Sequence, residues 1–244
     1  MPPFRFLPVE WCDALPSTNT ALIERVRRDL NTPSGVVLAA RAQTAGRGRQ
    51  QRRWNTAPGR NLTFSFLWNT PVPPDTAPAL ALAIATGVAR MLEAEGLAPT
   101  IKWPNDVQVS GRKIAGILCE SAGGAALVAG IGLNVNMDAA EAAEIDQPAT
   151  SLALETGRSF VLEHVLTSLL QHLGPAIDAW AAHGFPGFRE GYLRFAPNAG
   201  SVLRVRDGEA YVEGVLAGFN DHGALRLRLP GGEIRECYSG DVQM

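Results

Sequence analysis

Residues 100–134 decide the fold class, because TIKWPNDVQVSGRKIAGILCESAGGAALVAGIGLN contains four strand patterns with no helical segment between them. These patterns lie at residues 100–103, 107–109, 114–120 and 126–134. The Ser110-Gly111 pair between the second and third patterns is typical of a two-residue hairpin turn. We therefore expect antiparallel neighbours rather than repeated βαβ units, which indicates an α+β fold.

The segments around this stretch mix strands and helices. Residues 9–15 and 35–40 predict strands, and residues 61–68 alternate as a half-buried strand does. Helical periodicity is found at residues 22–30, 77–97 and 155–194. The helices are too few and too irregularly placed for a doubly wound sheet, so the α+β interpretation extends to the whole larger part of the chain.

A change of composition at residues 196–200, which read APNAG, predicts a linker. Beyond it, four short strands are separated by turn sequences at residues 207–208, 221–223 and 230–232. This pattern predicts a small all-β barrel or sandwich. We therefore expect a larger domain at residues 1–196 and a smaller β domain at residues 197–244.

The composition excludes several classes of protein. The 22 basic and 24 acidic residues give a net charge of −2, which argues against bulk electrostatic binding to nucleic acid. Three scattered cysteines without a C-x-x-C pair exclude a disulfide framework and the usual zinc clusters. The sequence begins without an apolar signal core, and its apolar stretches are shorter than the ~20 residues that a membrane span needs. We expect a reduced, cytoplasmic protein without membrane contact.

The distribution of lysines is unusual. Lys102 and Lys113 are the only lysines, against 20 arginines, and both lie within one window of twelve residues. A chain that uses arginine wherever arginine serves is expected to keep lysine where its compact charge is needed. Chance clustering is the alternative interpretation.

Residues 43–54 read QTAGRGRQQRRW and form an arginine-rich loop between two predicted strands. Glycine lets backbone N–H groups approach an anion closely, and a guanidinium binds carboxylate or phosphate with two hydrogen bonds. Four clustered arginines repel one another, so we expect a mobile loop that becomes ordered on an anion. The alternatives are a solvated basic loop or an RNA contact, and the latter usually has more aromatic residues than Trp54 alone.

Two segments close to the lysines suggest chemistry on phosphates. In KWPND at residues 102–106, Asp106 is a candidate ligand for Mg²⁺ on ATP, with Asn105 and Lys102 beside it. The alternative is an ordinary turn. In RKIAGIL at residues 112–118, Lys113 begins a strand of small apolar residues, where it either extends over a buried platform or protects a sheet edge.

Two further segments are weaker signals. In GIGLNVN at residues 130–136, glycines within a strand indicate either a bulge or close approach by a ligand. The STN sequence at residues 17–19 is a typical helix N-cap, and it can also direct hydroxyl groups into a pocket.

Together, and in this order, the segments resemble the catalytic core of biotin protein ligases, the biotin–[acetyl-CoA-carboxylase] ligase family. The matching pieces are STNT, QTAGRGR, KWPNDV, RKIAGIL, GIGLNVN and PATSL at residues 148–152. The likeness extends from about residue 10 to the end of the chain. It implies a mixed-sheet catalytic domain like that of class II synthetases, followed by a small SH3-like β-barrel.

The resemblance also implies a reaction and its partners. The family adenylates biotin with ATP and Mg²⁺, and then transfers biotin from biotinyl-5′-AMP to a lysine of a biotin carboxyl carrier protein. We expect a monomer or weak homodimer that binds no specific nucleic acid. A repressor function is not expected, because the ligase-like sequence leaves no room for a winged helix-turn-helix before it.

The resemblance assigns roles to individual residues. It places biotin against Ser17, Thr18, Asn19, Gln43, Arg47, Gly48, Arg49, Lys113, Gly116, Gly130 and Gly132. It places the nucleotide against Trp54, Lys102, Asn105, Asp106, Asn134 and Asn136, with Asp106 holding Mg²⁺ through the ATP phosphates. Lys113 and Arg49 are the expected catalytic residues, since their charges stabilise the anions that react.

Three competing hypotheses and one departure from the family pattern accompany this assignment. A lipoate ligase shares the adenylation chemistry, although GRGR and KWPND favour biotin. The second hypothesis is a nucleic-acid-binding module, against which the net charge of −2 argues, and the third is a ligand-binding homologue without catalysis. Gln51 replaces a glycine that many family members have, which affects how the arginine-rich loop is expected to close.

Overall fold

The computed structural model describes residues 3–54, 57–69, 72, 76–207 and 210–243. Within these residues the chain forms two sheets and six α-helices. The helices are α1 (Thr18–Arg28), α2 (Ala79–Ala94), α3 (Ala139–Ala143), α4 (Leu152–Thr156), α5 (Leu162–His183) and α6 (Arg189–Leu193). None of the helices within the described part of the chain is both long and apolar enough to cross a membrane.

The larger sheet contains the first seven strands. They are β1 (Val9–Leu15), β2 (Val37–Gln43), β3 (Leu62–Asn69), β4 (Pro99–Lys102), β5 (Asp106–Val109), β6 (Arg112–Gly123) and β7 (Ala126–Leu133). Their order is β1-β2-β3-β7-β6-β5-β4, in which β1 and β2 are parallel and every other pair is antiparallel. Ser110 and Gly111 both have positive φ at the turn from β5 to β6, which confirms the predicted hairpin.

Helices cover both faces of this sheet. Helices α2 and α5 pack on the face formed by Phe64, Phe66 and their neighbours. Helix α1 packs on the other face through Leu22, against Leu67 of β3. Strand β3 is consequently buried along seven of its eight residues, so the half-buried strand predicted from its alternation is wrong. Ser65 of this strand contacts Thr18 and Asn19 of α1 rather than water.

The smaller sheet is antiparallel and lies at the end of the chain. Its strands are β8 (Val202–Asp207), β9 (Ala210–Phe219), β10 (Leu225–Arg228), β11 (Ile234–Cys237) and β12 (Asp241–Gln243), in the order β11-β10-β9-β8-β12. There are five strands rather than the predicted four, because the last predicted strand is interrupted before Gly240, where φ is 151°. The predicted turn at residues 207–208 includes Gly208, which lies outside the described residues.

The mixed α+β architecture predicted from the sequence is confirmed, and a separate antiparallel sheet follows it. The domain boundary at residue 196 stays a prediction, and it falls between α6 and β8. A turn of each sheet is in contact with the other: the indole Nε1 of Trp103, between β4 and β5, donates a hydrogen bond to the carbonyl of Gly223, between β9 and β10, at 3.1 Å. The small sheet is therefore packed beside the KWPND turn.

Candidate active site

A narrow cavity opens where the N-terminus of α1, the centre of β6 and β7, and the arginine-rich loop meet. Its volume is about 90 Å³. Fourteen of the predicted site residues line it: Ser17, Thr18, Asn19, Gln43, Arg47, Gly48, Arg49, Trp54, Asn105, Asp106, Lys113, Gly116, Gly130 and Gly132. The fold therefore brings together segments that are distant in the sequence.

A buried polar cluster forms one end of the cavity. Gln43 Oε1 accepts hydrogen bonds from Thr18 N at 2.7 Å and from Thr18 Oγ1 at 3.2 Å. Asn19 Nδ2 donates to Leu118 O at 3.1 Å and to Glu120 Oε2 at 2.8 Å. Since Thr18 and Asn19 are each only 3% exposed, these bonds fix the two side chains against the cavity wall.

Two members of this cluster were not predicted from the sequence. Ser65 Oγ lies 2.7 Å from Thr18 Oγ1 and 2.6 Å from Asn19 Oδ1, and its single proton is donated to one of them at a time. Glu120 Oε2 accepts from both Asn19 and Arg47. Neither residue belongs to a segment with unusual composition, so the sequence offers no local signal for them.

Position 130, next to this cluster, has space only for glycine. A Cβ atom at Gly130 would lie 2.2 Å from Asn19 Oδ1, which is shorter than any real contact. Strand β7 therefore passes close to the Asn19 amide, and a side chain at this position would displace it. The sequence indicated a bulge or a close ligand here, whereas the group next to Gly130 is the Asn19 side chain, and contact of Gly130 with biotin stays a prediction.

The arginine-rich loop folds back on itself over the cavity. Gly48 N donates to Arg52 O at 2.7 Å, and Trp54 N donates to Gly46 O at 3.0 Å. Gln50 has a φ of 53° within a short 3₁₀ turn, Arg49–Gln51. The side chain of Gln51 lies outside the described residues, so its effect on loop closure stays a prediction.

Three loop arginines have partners that offset their mutual repulsion. Arg47 pairs with Glu120 at 2.9 Å, and Arg52 pairs with Asp241 at 2.7 Å. Arg49 Nη1 donates to Asn105 Oδ1 at 3.0 Å and to the carbonyl of Gly240 at 3.2 Å. Burial lowers the pKa of Arg49, while the nearby Asp106 and Asp241 carboxylates oppose this shift. The mobility predicted for the loop without an anion stays a prediction.

Lys113 and Asp106 face each other inside the cavity. Lys113 Nζ lies 2.8 Å from Asp106 Oδ1, and the two side chains are 15% and 13% exposed. The contact is an ion pair outside hydrogen-bond geometry, and Asp106 Oδ1 is buried without a hydrogen-bond partner among the described residues. The ammonium also lies 5.6 Å from the centre of the Trp54 ring. A compact positive charge is thus held at a site with little water.

The indole of Trp54 packs directly against two glycines. Gly116 and Gly132 are paired across β6 and β7, and a Cβ at Gly132 would lie 2.2 Å from Trp54 Cε2. The two glycines were predicted to contact biotin, and in the structure they accommodate the indole. Trp54 Nε1 is buried and has no hydrogen-bond partner within the part of the chain that the structure describes. An unsatisfied buried donor of this kind is available to a ligand that enters the cavity.

Three predicted nucleotide-binding residues do not line the cavity. Lys102 Nζ lies 3.2 Å from Asp241 Oδ1, beside the cavity. Asn134 Nδ2 donates to Thr150 O at 3.0 Å, and Asn136 Nδ2 donates to Phe160 O at 2.8 Å. Both amides thus have partners within the protein, and their predicted contact with a nucleotide stays a prediction.

Asp241 belongs to the small sheet and lines the cavity, although no pattern in the sequence indicated a role for it. Burial alone would raise the pKa of Asp241, but the hydrogen bonds from Arg52 and Lys102 outweigh it and hold the pKa below its usual value. The carboxylate is therefore charged at neutral pH. It connects the arginine-rich loop, the KWPND turn and the small sheet.

The residues described contain no cluster of three or more His, Cys, Asp or Glu side chains suited to a metal. Mg²⁺ is usually held by one or two carboxylates together with substrate phosphates, so a site of this kind needs no such cluster. The buried Oδ1 of Asp106 has the chemistry of one such ligand. The donor set therefore fits Mg²⁺ that arrives with a nucleotide.

Family models match most of the chain. The model of the biotin/lipoate A/B protein ligase family matches residues 11–138, and the biotin protein ligase C-terminal domain model matches residues 201–244. The chain belongs to the biotin/lipoate A/B protein ligase family. The first match contains most of the residues that line the cavity, and the second contains Gly240 and Asp241.

Individual family members are similar over most of their length. A biotin–[acetyl-CoA-carboxylase] ligase of Paracoccus denitrificans is 36% identical over 210 residues, which cover 79% of this chain and 84% of the relative. The Mycobacterium tuberculosis enzyme of the same name is 35% identical over 233 residues, covering 93% and 85%. The solved biotin protein ligase of Aquifex aeolicus, in complex with biotin and ATP, has a TM-score of 0.80 at 29% identity and covers 98% of both chains.

Proposed function

We propose that the chain is an ATP-dependent biotin–[acetyl-CoA-carboxylase] ligase. The observation that supports this most directly is the convergence of Lys113, Arg49 and Asp106 on one cavity whose other end is a cluster of buried amides and hydroxyls. Such a cavity suits a ligand with a neutral polar ring at one end and a carboxylate at the other. Biotin has this form.

The polar cluster is suited to the ureido ring of biotin. A ureido group has two N–H donors and one carbonyl acceptor. The hydroxyls of Ser17 and Thr18 and the amides of Asn19 and Gln43 provide both kinds of partner. Because the cluster is already held by Ser65 and Glu120, little side-chain entropy is lost when the ligand binds.

In the first step, an oxygen of the biotin carboxylate attacks the α-phosphorus of ATP. The bond between this phosphorus and the bridging oxygen breaks, and pyrophosphate leaves with the bond electrons. Lys113 and Arg49 would reduce the repulsion between the two anions and stabilise the charge on the α-phosphoryl oxygens. Asp106 would hold Mg²⁺, which neutralises charge on the ATP phosphates.

In the second step, the neutral amine of a carrier lysine attacks the carbonyl carbon of biotinyl-5′-AMP. The bond between the acyl carbon and the phosphate oxygen breaks, AMP leaves, and the amine proton passes to solvent. The acceptor is a biotin carboxyl carrier protein. The chain's own lysines are poor acceptors, because Lys102 and Lys113 are both engaged in ion pairs and largely buried.

The test is labelling of a purified biotin carboxyl carrier domain with biotin. We expect labelling that requires both ATP and biotin, releases pyrophosphate and is lost when Mg²⁺ is chelated. A lipoyl carrier domain with lipoate is the matched control. Preferential use of lipoate would favour the lipoate-ligase hypothesis, and binding of biotin without pyrophosphate release would favour a homologue without catalysis.

Three finer predictions accompany this function. The chain is expected to be a monomer or weak homodimer, to bind no specific nucleic acid and to act in the cytoplasm. The acidic balance of 22 basic against 24 acidic residues supports the second of these. Sedimentation of the purified protein, with and without a DNA fragment at physiological salt, tests the first two.

A further inference from the structure

The backbone of Lys113 is held partly from outside the main sheet, because Lys113 is in register with Gln108 of β5 but has no partner in β7. Register between β5 and β6 shifts at Val107/Gln108, so the chain bulges next to Lys113, and pairing with β7 begins only at Ala115. A bulge of this kind redirects the neighbouring side chain. The position of the ammonium therefore depends in part on what holds residue 113 on the side away from β5.

A short strap, Pro148–Thr150, holds it. Lys113 N donates to Pro148 O at 2.8 Å, and Thr150 N donates to Lys113 O at 2.9 Å. These two bonds form an isolated parallel bridge between Lys113 and Ala149. The N–H of Lys113 thus depends on the strap, and its carbonyl oxygen is bound by the strap and, at 3.5 Å, by Asn134 Nδ2.

Glu155 ties the strap to β6. Its Oε1 accepts a short hydrogen bond from Thr150 Oγ1 and a second from Arg112 Nη2 at 2.7 Å. One oxygen of the Glu155 carboxylate therefore connects Arg112, which precedes Lys113, with Thr150, whose N–H donates to the Lys113 carbonyl. Thr150 is fully buried and the Glu155 side chain is only 10% exposed, so the bond between them is largely protected from water. The Arg112 side chain is 45% exposed, and its bond to Glu155 lies at the surface.

The local helix does not explain this arrangement. Glu155 lies in α4, whose N-terminus is already capped by Ser151 Oγ, which accepts from Leu154 N at 3.1 Å. Burying a carboxylate is unfavourable unless it is paired and hydrogen-bonded. An acidic residue in the first turn of α4 is favourable for the helix, but the helix does not require the bonds that this carboxylate forms with Thr150 and Arg112.

We infer that Glu155 is a positioning residue for Lys113. It does not line the cavity, and it acts by fixing the strap, which fixes the backbone of Lys113 and hence the ammonium beside Asp106. This inference deepens the proposed function, on which its kinetic part rests. A displacement of ~1 Å at a reacting group reduces the rate by up to about a hundredfold.

The test compares five variants with the wild type. Glu155→Ala removes both bonds, and Glu155→Gln keeps an acceptor for Thr150 but removes the ion pair. Thr150→Val removes the hydroxyl at similar volume, while Thr150→Ser retains it. The matched control is Glu95→Gln, because Glu95 forms a comparable ion pair with Arg158 at 2.9 Å away from the cavity.

Two half-reactions and one measurement without ligand are compared. The first half-reaction is pyrophosphate release from biotin and ATP, and the second is labelling of the carrier domain from supplied biotinyl-5′-AMP. Amide hydrogen exchange is followed in peptides that cover residues 110–118 and 146–152. The exchange measurement reports on the strap whether or not the proposed function is correct.

We expect Glu155→Ala to slow adenylation about ten- to a hundredfold. Thr150→Val and Glu155→Gln should have smaller effects, and Thr150→Ser and Glu95→Gln should stay within about twofold of wild type. Transfer from supplied biotinyl-5′-AMP should change much less than adenylation, because it does not bring two anions together. Exchange should increase in both peptides for Glu155→Ala.

Unchanged exchange at residues 110–118 in Glu155→Ala would overturn the inference. Equal loss of both half-reactions with a lower melting temperature would also overturn it, since this would show a role in general stability. A wild-type protein that releases no pyrophosphate with biotin contradicts the proposed function instead. In that case the exchange data still decide whether Glu155 holds the strap.

Discussion

At the residue scale, Lys113 illustrates why lysine and arginine differ. The ammonium lies between the Asp106 carboxylate, 2.8 Å away, and the Trp54 ring, whose centre is 5.6 Å away. A compact charge fits between these groups, whereas a guanidinium is wide and planar. The chain uses arginine at 20 other positions, so the lysine here is consistent with a steric requirement.

Lys113→Arg is therefore expected to lower the adenylation rate by about a hundredfold, because the larger group displaces the reacting carboxylate by roughly 1 Å. The melting temperature should be little changed. Arg112→Lys should cause a smaller loss, since it keeps a charge beside Glu155. Adenylation kinetics and thermal melts on both variants test this. Turnover near that of wild type for Lys113→Arg would contradict it.

Gly130→Ala is expected to weaken biotin binding about tenfold or more. The added methyl group would lie 2.2 Å from Asn19 Oδ1, and overpacking of this kind costs about 1–3 kcal/mol. The control is Gly174→Ala, because a Cβ at this helical position meets no atom within 4 Å among the described residues. Titration calorimetry with biotin measures the effect, and equal affinities for the two variants would show that the Asn19 amide can move freely.

At the scale of elements, the arginine-rich loop is attached at both ends of its short 3₁₀ turn. Arg49 reaches Asn105 and Gly240, and Arg52 reaches Asp241. These contacts hold the loop over a cavity of about 90 Å³. We expect the loop and Trp54 to move when biotin and ATP enter, and to close again afterwards.

Arg49→Gly is expected to loosen this closure and let biotinyl-5′-AMP escape. The free adenylate would label lysines of bystander proteins, so unselective labelling of added serum albumin should increase severalfold. Arg49→Lys retains the charge without the planar guanidinium, so its unselective labelling should be intermediate between that of wild type and that of Arg49→Gly. Equal retention of the adenylate by Arg49→Gly and wild type, measured by rapid gel filtration, would rule out a lid role.

At the scale of the whole molecule, the small sheet contributes to the site of the large one. Asp241 binds Arg52 from the loop and Lys102 from the KWPND turn, at 2.7 and 3.2 Å. Trp103 adds a buried hydrogen bond to Gly223. The second sheet therefore contacts both the loop and the KWPND turn, and it contributes Asp241 to the lining of the cavity.

A charge exchange across this contact tests the coupling. Asp241→Arg and Arg52→Asp should each slow adenylation, because each leaves like charges in contact. The double variant restores the Arg–Asp pair and should recover part of the rate. Recovery is expected to be incomplete, since Lys102 then faces an arginine. A double-mutant cycle on the adenylation rate gives the coupling, and strict additivity of the two effects would show that the contact is incidental.

The sequence by itself determined the local features. The Ser110-Gly111 hairpin, the cap at Ser17 and the four strands of residues 100–134 follow from turn preferences and side-chain periodicity among near neighbours. The family resemblance carried by the ordered motifs also identified fourteen of the residues that line the cavity. These features depend on only a few adjacent residues, which is why they can be predicted without a structure.

Only the tertiary structure decided which distant groups meet. Arg52 and Asp241 are 189 positions apart, and nothing in either segment indicates the other. Likewise, the indole of Trp54 takes the space above Gly116 and Gly132, and α1 covers the polar face of β3. Such contacts depend on how complete elements pack. A local pattern shows the propensity of a segment and which of its faces is buried. Which group covers that face depends on how all the elements pack together in the core.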